Sequence, residues 1–443
     1  MKLKLHNINK IKRATIELGG LTLIAGENDS GKSTVGKVLF SMIKALSRQS
    51  EDLEEGKERT IFSLIEKIFF TIRKSVPIDK IDNDSFRSLF YPPTFSEELR
   101  IFLSLSGISS DTTKRQLREL LDYRKLFVSS LQMPNHQKDI ILMSLERIYQ
   151  SCLKQQDPVK TFLKAFEKAL YSEFYSKICS NLKNDSTIEL DLNEEKIIVS
   201  VINNSIKSIQ ADTVLFQPFE DVTFIETPMY LQLTHLLERA GTLFYDEEGL
   251  NRFSPKIPLH IKDLVKKLEL SRYATDNDKD EYSVFINSVI HGKFLFDKKN
   301  NQFLFMKDDG KSLPLQPSNV ASGIKSFGII QLLLKVDELN KQKILIIDEP
   351  ENHLHPKWQL FFAHLIVKLV KDKIPVVLST HSPYFIQAIK YYSQKEEISS
   401  RVKYYLADID ENDSDMTNII DVSADLNKIF IKLAEPLNEI LGE

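Results

Sequence analysis

The chain has 443 residues, of which 42% are hydrophobic and 27% are charged, and its formal net charge is −3 at pH 7. This length and apolar content suffice for roughly two or three structural units with a buried core. The near-neutral charge gives no global sign of binding to nucleic acid or to an acidic membrane. The two cysteines, Cys152 and Cys179, are too few for a disulfide framework and indicate a reducing compartment.

The first ten residues, M-K-L-K-L-H-N-I-N-K, are charged and alternating, and they lack the apolar region of a signal peptide. No stretch of the sequence approaches the ~18 consecutive apolar residues that a membrane span needs. We therefore expect a soluble, cytoplasmic protein with no membrane partner.

The beginning of the chain carries a motif for binding phosphate. An almost entirely apolar segment, residues 21–25, predicts a buried strand, and it runs into G-E-N-D-S-G-K-S-T at residues 26–34. Apolar residues then recur at helical spacing over residues 35–46. This order of strand, glycine-rich loop and helix matches the phosphate-binding loop of nucleotide hydrolases. The residues predicted to bind ATP there are Gly26, Asn28, Ser30, Gly31, Lys32, Ser33 and Thr34.

A second motif, I-L-I-I-D-E-P-E-N-H-L-H at residues 344–355, supplies two adjacent carboxylates. Its four aliphatic residues predict a strand of a parallel sheet that is buried on both faces. Asp348 and Glu349 would then lie at the C-terminal end of the strand, where such sheets bind ligands. Asp348 and Ser33 are predicted to bind Mg²⁺, while Lys32 reaches the β- and γ-phosphates of ATP. Glu349 is the predicted general base that activates water.

Two further sites depend on these motifs for their interpretation. Residues 374–378 predict another buried strand, which delivers His381 near the γ-phosphate. Ser322 and Gly323 open a very apolar helix and resemble an anion site made of a hydroxyl and N-terminal amides. Alone, the pair Ser-Gly before a helix is more often a simple cap, and a lone histidine is usually structural.

The chain divides into four predicted segments. Residues 1–50 hold the phosphate loop, and residues 51–185 form a helical insert, where glycine is scarce and apolar residues recur every three to four positions. Residues 186–310 mix alternating and helical patterns, and residues 311–443 hold the remaining motifs. The buried strand that carries charged residues at its C-terminal end is typical of an α/β fold.

The phosphate loop, Ser-Gly, the strand with Asp-Glu and the histidine occur in the order found in the heads of ABC-type ATPases, which this chain resembles. G-E-N-D-S-G-K-S-T, D-E-P-E-N-H-L-H-P and S-T-H-S-P-Y resemble the RecF/SMC/OLD-like branch, common among bacterial genome-maintenance and anti-phage ATPases. The resemblance implies a P-loop NTPase core with a mixed N-terminal sheet and a parallel core sheet flanked by helices. The helical insert would be an added lobe.

The same resemblance implies that two copies dimerise head-to-tail on ATP, and a higher oligomer is compatible with it. Ser322 and Gly323 would touch the γ-phosphate bound by the partner, and His355 would face the dimer interface. The sequence departs from the family in reading A-S-G-I-K-S instead of L-S-G-G-Q, which puts Lys325 where transporters carry a glycine. Gln217 is a candidate for the glutamine of the family's Q-loop.

We predict a Mg²⁺- and ATP-dependent ATPase that senses a signal and regulates a separately encoded effector, such as a nuclease or toxin, in anti-phage defence. The alternatives are a RecF-like repair ATPase that binds DNA and, more remotely, the ATP-binding subunit of a transporter. The long separation of Ser33 from Ser322 and the absent L-S-G-G-Q pattern disfavour the transporter.

OLD-like relatives often carry a C-terminal Toprim nuclease domain. Only 62 residues follow His381 here, which is too short for that domain. The acidic residues within 407–415 are interpreted as a solvated loop rather than a metal cluster. We therefore predict no intrinsic nuclease activity.

Overall fold

The computed structural model describes residues 1–76, 83–102, 110–154, 157–175, 177–180, 185–192, 195–211, 218–239, 257–274, 280–300 and 302–441. The chain forms two compact units. The core unit comprises Met1–Ser47 and Phe166–Glu443, and the helical unit comprises Arg48–Ala165.

The strands, in chain order, are β1 (Lys2–Ile8), β2 (Ile11–Glu17), β3 (Leu21–Gly26), β4 (Asp185–Asp191), β5 (Lys196–Ile202), β6 (Ser205–Ala211), β7 (Asp221–Ile225), β8 (Gly292–Asp297), β9 (Gln302–Lys307), β10 (Lys343–Asp348), β11 (Val376–Thr380), β12 (Val402–Asp410) and β13 (Asp413–Asp421). The helices are α1 (Lys32–Ser75), α2 (Asn83–Phe90), α3 (Pro92–Arg100), α4 (Asp111–Ser130), α5 (Asn135–Leu153), α6 (Pro158–Phe174), α7 (Tyr230–Arg239), α8 (Leu259–Leu270), α9 (Glu281–Ile290), α10 (Ser322–Lys335), α11 (Pro356–Lys371), α12 (Pro383–Lys395) and α13 (Asn427–Leu441).

Eleven of the described strands of the core unit form one sheet in the order β6-β5-β4-β1-β2-β13-β12-β3-β11-β10-β7, and β8 pairs with β9 in a separate two-stranded sheet. The five strands from β12 to β7 pair in parallel, and β6 to β2 pair antiparallel. The predicted α/β class with a mixed and a parallel part is confirmed. The two parts are continuous, because β13 pairs in parallel with β2 and antiparallel with β12.

Register in the parallel part aligns the strand ends. Leu378 of β11 lies opposite Leu23 of β3, Ile347 of β10 lies opposite Leu378, and Ile225 of β7 lies opposite Ile347. The apolar residues of these strands are buried on both faces, as parallel strands covered by helices require. Polar residues that follow the strands therefore collect at one edge of the sheet.

The acidic segment near the C-terminus is a hairpin and not the expected loop. Asp408 and Asp410 belong to β12, while Asp413 and Asp415 belong to β13. Asp410 accepts hydrogen bonds from Lys12 and from Asn418. The polar residues hide the strand pattern in the sequence, because their partners come from β2 and from the facing strand.

Four helices of the helical unit, α2 to α5, share an apolar core with residues 61–75 of α1 and with Val76. Phenylalanines make up much of it, and Phe69 stacks on Phe86 with ring centroids 5.2 Å apart. Arg124 is buried there, donates to the backbone oxygens of Leu89 and Leu120, and forms an ion pair with Glu98. Across both units, the described helices include none with the length and apolar character to cross a membrane.

Candidate nucleotide-binding site

The phosphate loop connects β3 to α1 at the aligned edge of the sheet. A Cβ atom at Gly26 would lie 2.8 Å from the backbone oxygen of Ala407 in β12, so the strand packing requires a glycine. Asp29 (φ 64°) and Gly31 (φ 81°) have left-handed backbone conformations. Such a loop turns successive amides inward and forms a nest for an anion, and the N-terminus of α1 adds to it.

Hydrogen bonds within the loop fix this conformation. The Ser30 hydroxyl donates to the backbone oxygen of Glu27 at 2.7 Å, and the Thr34 amide donates to the backbone oxygen of Gly31 at 3.1 Å. Ser30 and Thr34 are buried, and Asn28 is exposed at the tip of the loop. The predicted phosphate-binding residues thus lie on one continuous turn.

Lys32 is folded against the loop. Its side chain is buried, and Nζ donates to the backbone oxygens of Gly26 (3.0 Å) and Glu27 (2.5 Å). Burial lowers the pKa of Lys32, and the charges of the nearby carboxylates, that of Glu349 first, oppose this shift. Phosphate oxygens could replace the two carbonyls as acceptors without any change in the charge of the lysine.

Asp348 lies next to Ser33 and Ser379. The Ser379 hydroxyl donates to Asp348 Oδ1. Burial raises the pKa of Asp348, and hydrogen bonds from Ser379 and Ser33 oppose this shift. A carboxylate beside a hydroxyl is the hard oxygen set that Mg²⁺ prefers, so the two side chains fit this ion. No cluster of three or more His, Cys, Asp or Glu suited to a metal occurs in the described part of the chain.

Glu349 faces both Lys32 and the histidine of the neighbouring strand end. Its Oε1 lies 3.9 Å from Lys32 Nζ and 3.4 Å from His381 Nδ1, and its Oε2 accepts from Asn352 Nδ2 at 2.9 Å. The backbone of Glu349 is left-handed (φ 46°), a conformation that costs about 1–3 kcal/mol for such a residue. The amide of Glu349 donates to the backbone oxygen of Ser379 at 3.0 Å, which helps to hold the strained residue in place.

Ser322, Gly323 and His355 lie near one another. A Cβ atom at Gly323 would be 3.0 Å from Leu354 Cδ2 and 3.1 Å from Trp358, so the start of α10 packs on the start of α11. His355 caps α11, where its Nδ1 accepts from the Lys357 amide at 3.2 Å, and its side chain is exposed. The hydrogen bonds and close contacts that the described residues give this patch do not involve the phosphate loop.

With this geometry in place, comparison with known proteins assigns the family. The model of the family described as AAA ATPase domain matches residues 1–386. The chain belongs to this family. The prediction of an ABC-type ATPase head of the RecF/SMC/OLD-like kind is confirmed.

Three curated relatives are similar to this AAA ATPase domain protein. It is 23% identical over 437 residues to the Retron Vc95 probable ATPase of Vibrio cholerae serotype O1 biovar El Tor, a match that covers 91% of this chain and 74% of the relative. It is 31% identical over 81 residues to an OLD nuclease of Thermus scotoductus (strain ATCC 700910 / SA-01), which covers 18% of this chain and 15% of the nuclease. It is 42% identical over 45 residues to the Septu protein PtuA of Bacillus thuringiensis, which covers 10% of this chain and 11% of PtuA.

Solved structures of SMC heads are also similar. An SMC head domain from Thermotoga maritima has a TM-score of 0.37 at 10% identity and covers 95% of this chain and 98% of its own. An SmcHead bound to the C-winged helix domain of ScpA has a TM-score of 0.43 at 10% identity and covers 96% of this chain and 98% of its own.

Sequence reasoning missed the role of Glu351 in this ATPase domain. Its Oε1 accepts from the Thr380 hydroxyl (2.6 Å), the His381 amide (2.8 Å) and the Ser382 amide (3.2 Å). Burial raises the pKa of Glu351, and the hydrogen bond from Thr380 opposes the shift. Through these hydrogen bonds, Glu351 holds the segment that carries His381, which we call the histidine loop, close to the end of β10. In the sequence, Glu351 stands out only as the third acidic residue of D-E-P-E. Its role could not be recognised there, because the residues that it binds lie about 30 positions away.

Glu226 is a second residue that the sequence did not reveal. Because Ile225 lies opposite Ile347, Glu226 follows β7 at the level of Asp348. It lines a small cavity together with Asp348 and Glu349. The signal was a carboxylate directly after an apolar strand, the same pattern that marked Asp348. Gln217, the candidate for the glutamine of the family's Q-loop, lies outside the described residues.

Lys325 faces inward. It is 3% exposed, and its Nζ donates to Gln232 Oε1 at 2.7 Å. Burial lowers its pKa. The lysine that replaces a glycine of the transporter pattern therefore contributes to packing between α10 and α7.

Replacing Glu351 with alanine should release the histidine loop. Each hydrogen bond to a charged group contributes about 1.5–3 kcal/mol to stability. Because the variant no longer buries a carboxylate, part of this loss is offset. We therefore expect the free energy of unfolding to fall by about 2–4 kcal/mol. Hydrogen exchange at the His381 and Ser382 amides should accelerate. Glu411→Ala in the exposed turn between β12 and β13 is the matched control. Unchanged exchange at both amides would show that Glu351 does not hold the loop.

Proposed function

We propose that this protein binds ATP with Mg²⁺ at the aligned edge of its sheet and hydrolyses it. The observation that supports this most is the convergence of Lys32, Ser33, Asp348, Glu349 and His381 around a loop shaped for phosphate. Asp348 ends β10, Glu349 follows it, His381 follows β11, and Lys32 and Ser33 begin the helix after β3; these three strands are adjacent in the sheet.

Each side chain has a role that follows from its position. Lys32 exchanges its two carbonyl partners for phosphate oxygens, and Ser33 and Asp348 hold Mg²⁺. The ion, when bound, neutralises charge that develops on the phosphates. Glu349 takes a proton from a water whose oxygen bonds to the γ-phosphorus while the bond to the β–γ bridging oxygen breaks, which yields ADP and phosphate. His381 Nδ1, 3.4 Å from Glu349, orients this base.

We further propose that the closed state is a head-to-tail homodimer. Ser322 is half-buried and His355 is exposed, and both lie in a patch whose described contacts do not include the phosphate loop. Ser322 and the amide of Gly323 stand at the N-terminus of α10, where a helix attracts anions. Supplied by a second copy, this patch would cover the γ-phosphate bound by the first.

Two substitutions separate binding from hydrolysis. Lys32→Met should abolish binding of a fluorescent ATP analogue, because the loop loses its charge. Glu349→Gln should still bind ATP, but its rate of phosphate release should fall by about 10²–10⁴-fold because no base remains. With ATP and Mg²⁺, the molar mass of this variant measured by light scattering should double. The control is Lys307→Met at the exposed end of β9. Hydrolysis at the wild-type rate by Lys32→Met would refute the site, and a monomeric Glu349→Gln protein with bound ATP would refute the dimer.

For the biological role, we propose a sensor or regulator of a separately encoded effector in anti-phage defence. Support comes from the motifs and from the similarity to a retron ATPase over 91% of the chain. The short match to PtuA points the same way, although it covers only a tenth of the chain.

This role predicts that cells carrying the gene with its neighbours resist phage and lose resistance with Lys32→Met. The measurement is the plaque count, with Lys307→Met as the control that keeps resistance. Equal protection by wild type and Lys32→Met would contradict the role. Binding of the purified protein to DNA with a steep dependence on salt would favour the repair alternative.

A further inference from the structure

A buried chain of three ionisable side chains leads from the interior of the core unit to the candidate site. His260 of α8 is fully buried, and its Nδ1 lies 2.6 Å from Glu173 Oε2 in the last turn of α6. The His260 amide also donates to the other oxygen of Glu173 at 2.9 Å. On the opposite side, His260 Nε2 lies 3.3 Å from Oε2 of Glu226, the residue that follows β7.

The charges of this chain are set by its geometry. Both ring nitrogens of His260 face carboxylate oxygens, which only accept hydrogen bonds when ionised, so both nitrogens carry protons. Burial alone would lower the pKa of His260, but the hydrogen bonds to Glu173 and Glu226 outweigh it and raise the pKa to about 9. The hydrogen bond from His260 is the main cause that lowers the pKa of Glu226 to about 2. Glu226 is therefore an anion at neutral pH.

The two oxygens of Glu226 have different surroundings. Oε2 accepts from the Tyr230 hydroxyl at 2.7 Å in addition to facing His260. Oε1 lies 3.8 Å from Lys37 Nζ, one helical turn after Ser33 in α1. The side chain is about one-third exposed, and it lines the cavity shared with Asp348. Oε2 is thus anchored by two partners, whereas Oε1 faces Lys37, and the residue lines the same cavity as Asp348.

We propose that Glu173 and His260 are positioning residues that hold Glu226 Oε1 on the Mg²⁺ side of the site, where it accepts a hydrogen bond from water. This inference rests on the proposed ATPase function and adds three residues that lie outside its motifs. Residues of this kind, which act through a neighbour of the metal, typically change metal affinity or activity by about 10–100-fold.

A comparable ion network at the other end of the same strands provides a control. Lys267 pairs there with Asp221, Asp263 and Glu338, and Glu338 also pairs with Lys343 at the start of β10. Asp348 stands at the far end of β10, roughly 17 Å away at about 3.3 Å per residue. If Glu173 had a purely structural role, substitutions in the two networks would have similar effects. If Glu173 positions Glu226, only the substitution of Glu173 changes the dependence of activity on Mg²⁺.

The test compares Glu173→Gln with Glu338→Gln. For Glu173→Gln we expect kcat to fall about tenfold and the Mg²⁺ concentration for half-maximal activity to rise severalfold. Affinity for the fluorescent analogue mant-ATP without Mg²⁺ should stay within about twofold, because the phosphate loop is intact. Glu338→Gln should lower Tm but leave kcat and the Mg²⁺ dependence unchanged. If Glu173→Gln does not fold, Tyr230→Phe is the milder variant, because it removes only the hydroxyl that donates to Glu226.

The double variant decides whether Glu173 acts through Glu226. In a Glu226→Gln background, Glu173→Gln should cause no further loss, since coupled residues are not additive. A full additional loss in that background, or a wild-type Mg²⁺ dependence of Glu173→Gln and Tyr230→Phe, would overturn the proposal. If the wild-type protein hydrolyses no ATP, the proposed function fails separately, and the effect of Mg²⁺ on mant-ATP affinity in the same variants still decides the inference.

Discussion

The register of four parallel strands is the constraint on which the candidate site depends. The register places the last residues of β7, β10, β11 and β3 within three residues of one another, so the residues that follow these strands meet at one edge of the sheet. Each strand is apolar along its length because helices cover both faces. Charged side chains are therefore excluded from the middle of the strands and stand at or beyond the strand ends. A shift of one strand by a single residue would move its carboxylate away from the others.

Charge at this edge is unbalanced in a way that suits a cation. Glu349 Oε1 lies 3.9 Å from Lys32 Nζ, the charges of Asp348 and Glu351 also act on this ammonium, and Glu226 lines a cavity with Asp348 and Glu349. The charges of Glu349 and Glu226 contribute to the raised pKa of Asp348, after the larger effect of burial. Mg²⁺ and the phosphates of ATP would be stabilised together in such a site, because the ion offsets the carboxylates and the lysine and loop amides offset the phosphates.

Local patterns in the sequence were sufficient for part of the site. The phosphate loop and the pair Asp348 and Glu349 are each contained in one short segment. An apolar strand followed by a glycine-rich loop or by two carboxylates is typical of a nucleotide-binding site. The α/β class followed from the same segments. The structure brings Lys32 and His381 within ion-pair range of Glu349, as their positions after adjacent strands suggested.

The remaining residues depend on contacts that no local pattern encodes. Glu351 holds a loop about 30 positions away, and Glu226 acquires its place only because β7 lies beside β10. The pKa of His260 is raised because two carboxylates from distant segments, Glu173 and Glu226, face its ring nitrogens. The hairpin of β12 and β13 was hidden for a related reason, since its polar residues find partners in β2.

We propose that one copy supplies the phosphate loop and carboxylates while a second copy supplies Ser322 and Gly323. Mixing two inactive variants, Lys32→Met and Ser322→Arg, tests it most directly through the rate of phosphate release. A head-to-tail dimer predicts recovery of about one quarter of the wild-type rate at equal concentrations, because half of the dimers are mixed and each of these has one intact site. A mixture as inactive as either variant alone would contradict the claim.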